Sequence, residues 1–158
     1  MGEPLTLIVN GSQHTVSSEP ETPLIYPLRN ELKLFGTRAG CGLGQCGVCT
    51  VLIDGVPIKA CLTPIGEAAG RHITTVEGLA TEGTLHALQQ SFVAEQAAQC
   101  GYCLSGILIS SVALLSKNPT PTRAEIEEQL AGNLCRCGTH ARIVRAIERV
   151  NNSPDRGL

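Results

Sequence analysis

Apolar and polar residues alternate with a period of two in the first part of the chain, a pattern that predicts β-strands. Leu5–Val9 reads Leu-Thr-Leu-Ile-Val, and Asn10-Gly11 directly after it is a strong hairpin signal. A second apolar run at 48–53 is followed by Asp54-Gly55, which is also a hairpin signal, and 71–76 forms a last short run. These runs predict two hairpins and one further strand.

A helix is predicted between the two hairpins. Thr22 is a suitable N-cap residue, and Pro23 stands at the first helical position, where its missing N–H costs nothing. The apolar positions Ile25 and Leu28 continue the helix towards Leu32. The helix and the two hairpins together predict an α+β unit of the β-grasp type.

From Thr84 the apolar period lengthens to about 3.6 residues, which predicts helices. Four segments follow, at Leu85/Leu88/Phe92, at Leu104/Ile107/Leu108/Val112/Leu115, after the capping box of Thr122 and Glu125, and at Ile143/Val144/Ile147/Val150. Four short helices of this kind predict an all-α four-helix bundle. The sequence thus predicts a β-grasp domain at 1–80, a helical domain at 81–150 and a frayed tail at 151–158.

The composition excludes two kinds of partner. Asp+Glu 14 against Lys+Arg 12 leaves no basic excess for phosphates, and two Phe, two Tyr and no Trp offer few rings for base stacking, so no nucleic acid is expected. The longest apolar stretch, 103–116, is too short to span a bilayer, and the first residues do not form a signal peptide. We therefore expect a cytoplasmic protein, or one carried to the membrane or the periplasmic face by a partner subunit.

Eight cysteines change this picture, because they are clustered and only one Met accompanies them. In a chain without an export signal, thiols in such number indicate metal ligation rather than disulfides. Two groups can be distinguished. The first set is Cys41, Cys46, Cys49 and Cys61, and the second set is Cys100, Cys103, Cys135 and Cys137.

The first set has the C-x4-C-x2-C spacing, with a distant fourth cysteine, that holds a plant-type [2Fe–2S] cluster. Glycines stand on both sides of Cys41, at 40 and 42, and directly after Cys46, at 47. Glycine permits the positive φ angles of a tightly wrapped loop and lets backbone amides approach sulfur. A zinc knuckle is the alternative, but zinc sites usually use C-x2-C pairs, so the spacing favours iron–sulfur.

The second set is less specific when its spacing is considered alone. A C-x2-C pair and a C-x-C pair separated by 31 residues are compatible with a Zn(Cys)4 site as well as with a [2Fe–2S] cluster. Cys100 and Cys103 open the second predicted helix, and Cys135 and Cys137 lie between the third and fourth. One end of a helical bundle would bring these two pairs together.

Taken together, three runs resemble the small iron–sulfur subunit of the molybdenum hydroxylases, the superfamily of xanthine dehydrogenase and aldehyde oxidoreductase. They are GCGLGQCGVCTVLIDG at 40–55, QCGYC at 99–103 and GNLCRCG at 132–138. Within the superfamily, EQAAQCGYC and NLCRCGTHARI are most similar to the small subunits of nicotinate dehydrogenase, isoquinoline 1-oxidoreductase and bacterial aldehyde dehydrogenases. No ligand position departs from the family pattern.

The resemblance implies two [2Fe–2S] clusters: one held by the first set near the surface of a plant-type ferredoxin-like domain, and one held by the second set in the helical domain. It also implies that Gln99 and Cys137 lie next to the molybdopterin of a separate large subunit. The chain would then be the electron-transfer subunit of an oxidoreductase complex, with no catalytic residue of its own. The complex would act on an N-heterocycle such as nicotinate, or on an aldehyde.

The resemblance also suggests an external electron acceptor, and two alternative functions remain. Relatives with the most similar motifs pass electrons to a cytochrome c subunit, which we therefore expect here in preference to a flavin subunit. One rival is a free-standing two-cluster ferredoxin, against which the attached helical domain argues. The other rival is a zinc-stapled interaction module, against which the glycine-flanked C-x4-C spacing argues.

Overall fold

Five strands form a mixed sheet in the first half of the molecule. The computed structural model describes residues 4–151, and its strands are β1 (Leu5–Val9), β2 (Ser12–Val16), β3 (Thr50–Ile53), β4 (Val56–Lys59) and β5 (His72–Thr74). Their spatial order is β2-β1-β5-β3-β4, with β1 and β5 parallel and the remaining pairs antiparallel. The chain is therefore an α+β protein, as predicted.

Both predicted hairpins are confirmed. Asn10 and Gly11 have φ angles of 50° and 80°, and Asp54 and Gly55 have φ angles of 50° and 78°. Two consecutive residues with positive φ are what a two-residue turn of type I′ requires. The turns set the register of each pair of strands, with Val9 opposite Ser12 in the first hairpin and Ile53 opposite Val56 in the second.

The predicted start of the first helix is wrong. Helix α1 spans Ile25–Asn30, two residues later than the proposed Thr22-Pro23 cap, and no side chain caps it. Pro23 instead forms an isolated bridge with Pro64, and Leu24 donates its N–H to the Thr63 carbonyl. This pairing with a distant segment holds the residues before α1 outside the helix. The short helix α2 (Ile65–Ala68) and a 3-10 turn at Val76–Leu79 have no counterpart among the predicted elements.

Four helices form the second half of the molecule. They are α3 (Ala87–Ala94), α4 (Leu104–Lys117), α5 (Arg123–Leu130) and α6 (His140–Asn151). The capping box of α5 is confirmed, because the Thr122 side chain and that of Glu125 each accept the other's backbone N–H. Leu85 does not belong to the buried face of α3, since it precedes the helix and remains 45% exposed.

Two hydrophobic clusters support these two halves. One cluster lies between the sheet, α1 and α2, and the other lies among α3–α6. Leu52 of β3 packs into the second cluster, so the sheet and α4 share apolar contacts. Helix α4 is buried along nearly its whole length, including Ser105, Gly106 and Ser111. This central helix joins the halves into one body at the place where both cysteine sets lie.

No helix in the described part of the chain is long and apolar enough to cross a bilayer. The predicted frayed tail begins at 151, and all of it beyond this residue lies outside the described residues.

Candidate metal centres

The first set lies where a loop without regular secondary structure enters β3. Cys41 and Cys46 belong to that loop, Cys49 directly precedes β3, and Cys61 follows β4. The hairpin register brings the last two together, because Ala60 donates its N–H to the Cys49 carbonyl at 3.3 Å. A local loop and a hairpin therefore suffice to bring all four thiols to one edge of the sheet.

Backbone amides surround the Cys41 sulfur. Leu43 and Gln45 donate their N–H groups to it at 3.3 Å, and Cys46 donates at 3.4 Å. Gly42 supports this wrapping, because its φ of 68° lies in the left-handed region. The N–H groups of Leu43 and Cys46 stabilise the thiolate and lower the pKa of Cys41 to about 6. The loop therefore favours the thiolate form of Cys41, which is the form that binds a metal ion.

Cys49 and Cys61 form the inner pair of this set. Cys49 is only 2% exposed, and burial raises its pKa to about 11. The neighbouring Cys61 thiol also raises this pKa. A buried thiol of this kind becomes a thiolate only when a cation replaces its proton.

The second set lies at helix ends. Cys103 is the N-cap residue of α4, and Cys135 and Cys137 lie in the turn between α5 and α6. All four cysteines line one cavity, and Cys135 acts on the pKa of Cys103 as Cys137 acts on that of Cys100. The predicted convergence of the two cysteine pairs is therefore observed.

Burial and hydrogen bonds determine the pKa values of the thiols in the second set. Burial and the neighbouring Cys135 raise the pKa of Cys103 to about 12. Burial also acts against ionisation of Cys135, but hydrogen bonds from Thr139 outweigh it, and the pKa falls to about 6. The Thr139 hydroxyl oxygen lies 3.4 Å from this sulfur. The N–H of Tyr102 lowers the pKa of Cys100.

The thiols of the two sets are arranged in pairs. In three pairs one thiol shifts the pKa of the other: Cys61 acts on Cys49, Cys135 on Cys103 and Cys137 on Cys100. Cys41 and Cys46 form a fourth, in which each backbone N–H donates to the other sulfur at 3.4 Å. Across residues 4–151, no group of three or more His, Cys, Asp or Glu is arranged to hold a single metal ion. Each iron of a [2Fe–2S] cluster takes two thiolates, so two pairs in each set fit such a cluster.

The two sets face each other across the two halves. A cavity of about 210 Å³ is lined by six of their cysteines: Cys41, Cys46, Cys100, Cys103, Cys135 and Cys137. Leu134 donates its backbone N–H to the Cys46 carbonyl at 2.9 Å. Since Leu134 directly precedes Cys135, one hydrogen bond connects a residue of the first set to the neighbour of a residue of the second.

Side chains near the second set also contact the loop of the first, which sequence analysis missed. The Tyr102 hydroxyl donates to the Ala39 carbonyl. Ser105 donates to the Val48 carbonyl at 3.2 Å. The partners are 63 and 57 residues apart along the chain, so no local sequence signal could have identified them.

Gln99 lies at the surface immediately before Cys100 of the second set. Cys137 lines the same cavity as Cys100. Three arginines of α6 are bound to the end of α3: Arg142 donates to the Gln96 carbonyl, and Arg145 and Arg149 form ion pairs with Glu95.

Two family models match the chain. Residues 7–72 match a family described as a 2Fe-2S iron-sulfur cluster binding domain. Residues 75–148 match one described as a [2Fe-2S] binding domain. Each matched region contains one complete cysteine set.

The chain is also similar to components of known enzymes. It is 52% identical to a nicotinate dehydrogenase subunit of Pseudomonas putida, over 92% of each chain. It is 48% identical to the alpha subunit of isoquinoline 1-oxidoreductase of Brevundimonas diminuta, over 92% of this chain and 95% of that one. The crystal structure of quinoline 2-oxidoreductase from Pseudomonas putida 86 superposes with a TM-score of 0.89 at 42% identity, over 92% of this chain and 90% of that chain.

Proposed function

This chain belongs to the family of small [2Fe-2S] iron–sulfur subunits of the molybdenum hydroxylases, and from that premise we propose how its residues serve electron transfer. The chain is the electron-transfer subunit of an oxidoreductase complex with a molybdopterin-binding partner. When bound, two [2Fe–2S] clusters supply one-electron steps between that molybdopterin and an external acceptor.

We propose that the first set holds one cluster and the second set the other, with each thiol pair serving one iron. The donated N–H groups around Cys41 support this assignment for the first set, because such bonds stabilise anionic sulfur. In the second set, the hydroxyl of Thr139 stabilises the anionic sulfur of Cys135 in the same way. We also propose that the first cluster lies in a β-grasp domain and the second in a four-helix bundle, with the boundary between these domains near residue 80.

The observation that carries the proposal is the hydrogen bond from Leu134 to the Cys46 carbonyl. This bond connects the Cys135 side chain to the Cys46 side chain. The path runs from Cys135 along the backbone to the N–H of Leu134, across the hydrogen bond, and into Cys46. An unbound ferredoxin domain would have no need for such a connection to a second cysteine set. Gln99 and Cys137 are proposed to face the molybdopterin of the partner, so that the second set receives electrons first.

Iron and acid-labile sulfide analysis of the purified chain tests the proposal. We expect about four iron atoms and about four sulfides per chain, as two [2Fe–2S] clusters require. Alanine variants of Cys41 from the first set and of Cys135 from the second set serve as matched controls, and each should remove one cluster and leave the other. Zinc without sulfide in the wild-type chain would contradict the proposal, and about two irons would leave one set without its cluster.

An N-heterocycle is the proposed class of substrate for the complex. Two relatives are named for nicotinate and isoquinoline, and one similar solved structure is a quinoline oxidoreductase. An aldehyde is the second candidate, since an aldehyde oxidoreductase iron-sulfur-binding subunit of Escherichia coli is 43% identical to this chain. Turnover of the assembled complex with nicotinate, quinoline and benzaldehyde would distinguish these classes.

For the acceptor, we propose a cytochrome c subunit, and the alternative is a flavin subunit. Co-purification of the complex tests this proposal, because a haem absorption band supports the cytochrome and flavin absorption contradicts it. The proposed location is the cytoplasm, or a membrane or periplasmic face reached through a partner. Fractionation of cells that produce the whole complex would identify that compartment.

A further inference from the structure

Asn133 lies at the contact between the two cysteine sets. Its side-chain amide donates to the Gly47 carbonyl at 3.2 Å, across 86 residues of sequence. Gly47 directly follows Cys46 of the first set, and Asn133 stands two residues before Cys135 of the second. The side chain therefore connects the ligand loops of both sets.

This amide is costly to bury. Asn133 is only 4% exposed, and its Oδ1 has no hydrogen-bond partner in the described part of the chain. An unpaired polar atom in such a site destabilises the fold, because it loses its hydrogen bonds to water and gains none in return. An apolar residue of the same size would avoid this cost, so packing alone does not explain an asparagine at this position.

The Gly47 carbonyl does not need Asn133 to be satisfied. Thr50 already donates to it twice, from its hydroxyl at 2.6 Å and from its backbone N–H at 3.2 Å. Both bonds lie within the sheet half of the molecule. The bond from Asn133 is the one that crosses to the helical half, so its effect is on the relative position of the halves.

The residue after Asn133 shows what this bond positions. Leu134 donates its N–H to the Cys46 carbonyl at 2.9 Å, and Asn133 itself donates its N–H to Leu130 at the end of α5. With its backbone tied to α5 and its side chain tied to Gly47, Asn133 holds the intervening chain against the loop of the first set. A small shift there would lengthen or break the bond between Leu134 and Cys46.

We propose that Asn133 is a positioning residue that keeps the backbone link between Leu134 and Cys46 in register and so sets the coupling between the two clusters. The proposal rests on the function proposed above. Asn133 touches neither sulfur directly. Its role is to fix the distance and the bonded path between the two ligand loops.

The test is EPR spectroscopy of the assembled complex with both clusters reduced, in which the two unpaired spins split each other's signals. Asn133→Leu keeps the number and branching of the side-chain heavy atoms and removes the amide. We expect the splitting to shrink, while the g values of each cluster and the iron content stay unchanged. Thr50→Val is the matched control, because it removes a bond to the same Gly47 carbonyl from within the sheet half, and its splitting should equal that of the wild type.

An unchanged splitting in Asn133→Leu with both clusters present would overturn the proposal, as would a wild-type complex without splitting. If Asn133→Leu does not retain both clusters, Asn133→Ser replaces it, because the short serine side chain cannot reach Gly47. Its splitting should also be smaller than that of the wild type, and an unchanged splitting would overturn the proposal. A wild-type chain without two clusters would instead contradict the proposed function. The two failures are therefore distinguishable from the iron content alone.

Discussion

The two cysteine sets of this protein are embedded in different surroundings. Backbone N–H groups of a glycine-rich loop donate to the Cys41 sulfur in the first set. In the second set the Thr139 side chain is hydrogen-bonded to Cys135 alongside backbone N–H groups, and Cys103 stands at the start of a long helix. The first arrangement is local to one loop and depends little on side chains. The second depends on helix packing and on contacts with the first half.

Iron removal should produce the largest difference between the surroundings of the two sets. The loop that carries Cys41 has no helix or strand, and three of its N–H groups have Cys41 sulfur as acceptor. We expect chelation to make the amides of Leu43 and Gln45 exchange with solvent at least about tenfold faster, a loss of ~1.4 kcal/mol of protection. The amides inside α4 should remain protected for longer. Hydrogen-exchange mass spectrometry measures both, and equal acceleration in the two regions would contradict the comparison.

Substitution of Gly47 tests the contact between the halves. Gly47 has a φ of 73°, and a Cβ there would lie 2.2 Å from the Gly132 carbonyl oxygen. Strain and overpacking together should make Gly47→Ala destabilising by about 2–5 kcal/mol. Gly42→Ala is the control, because Gly42 has a similar φ of 68° with nothing within 4 Å, so only about 1–2 kcal/mol is expected. Equal losses in thermal unfolding would mean that the tight contact between the halves is unimportant.

A smaller effect is expected from the hydroxyl of Tyr102, which joins the second set to the Ala39 carbonyl. Tyr102→Phe removes this bond alone and should cost about 0.5–1.5 kcal/mol in unfolding free energy. Tyr26→Phe is the same chemical change at another exposed tyrosine. It should leave stability within about 0.5 kcal/mol of the wild type. Chemical denaturation of the two variants side by side provides the measurement, and indistinguishable midpoints would exclude a contribution from the Tyr102 contact.

The smallest expected effect is a pH dependence confined to the helical half. His86 caps α3 by accepting the Leu88 N–H at 3.1 Å, and burial lowers its pKa. The unfolded chain therefore takes up a proton first as pH falls below about 6.5, so the stability from this cap is complete above that pH and is lost as pH falls through the folded pKa. In the sheet half, Arg71 lowers the pKa of Asp54, so its contribution persists until pH falls below about 3.9.

Hydrogen exchange between pH 7 and pH 5 measures this difference. Protection of α3 should decrease while that of β5 stays constant. His86→Asn keeps a good N-cap that does not titrate in this range, and it should remove the pH dependence of α3. Loss of protection in β5 over the same interval would contradict the assignment.

Local features of the fold were predictable from the sequence. The two hairpins follow from Asn-Gly and Asp-Gly pairs, whose positive φ angles the structure confirms. The capping box of α5 is equally local. The start of α1 was not predictable, because the bridge between Pro23 and Pro64 competes with the helix and involves a distant segment.

The same distinction applies to the cysteines. Their division into two groups is visible in their spacing along the chain, whereas the contacts that connect the groups are not. Gly106 illustrates this: in sequence it is an ordinary glycine within a helix, but in the structure a Cβ at this position would lie 2.0 Å from the Gly47 carbonyl oxygen. Such close approaches between distant segments have no local signature.

The central claim is that electrons enter at the second set and leave from the first. Rapid-freeze EPR of the assembled complex after mixing with substrate tests it most directly, with the two reduced-cluster signals followed separately in Cys137→Ser and Cys46→Ser. Serine is nearly isosteric with cysteine, but its harder oxygen alters iron ligation, so electronic properties should change more than packing. The account predicts slower reduction of the second cluster in Cys137→Ser, and normal reduction of that cluster with blocked delivery to the acceptor in Cys46→Ser. Loss of second-cluster reduction in Cys46→Ser, with its retention in Cys137→Ser, would contradict the proposed order.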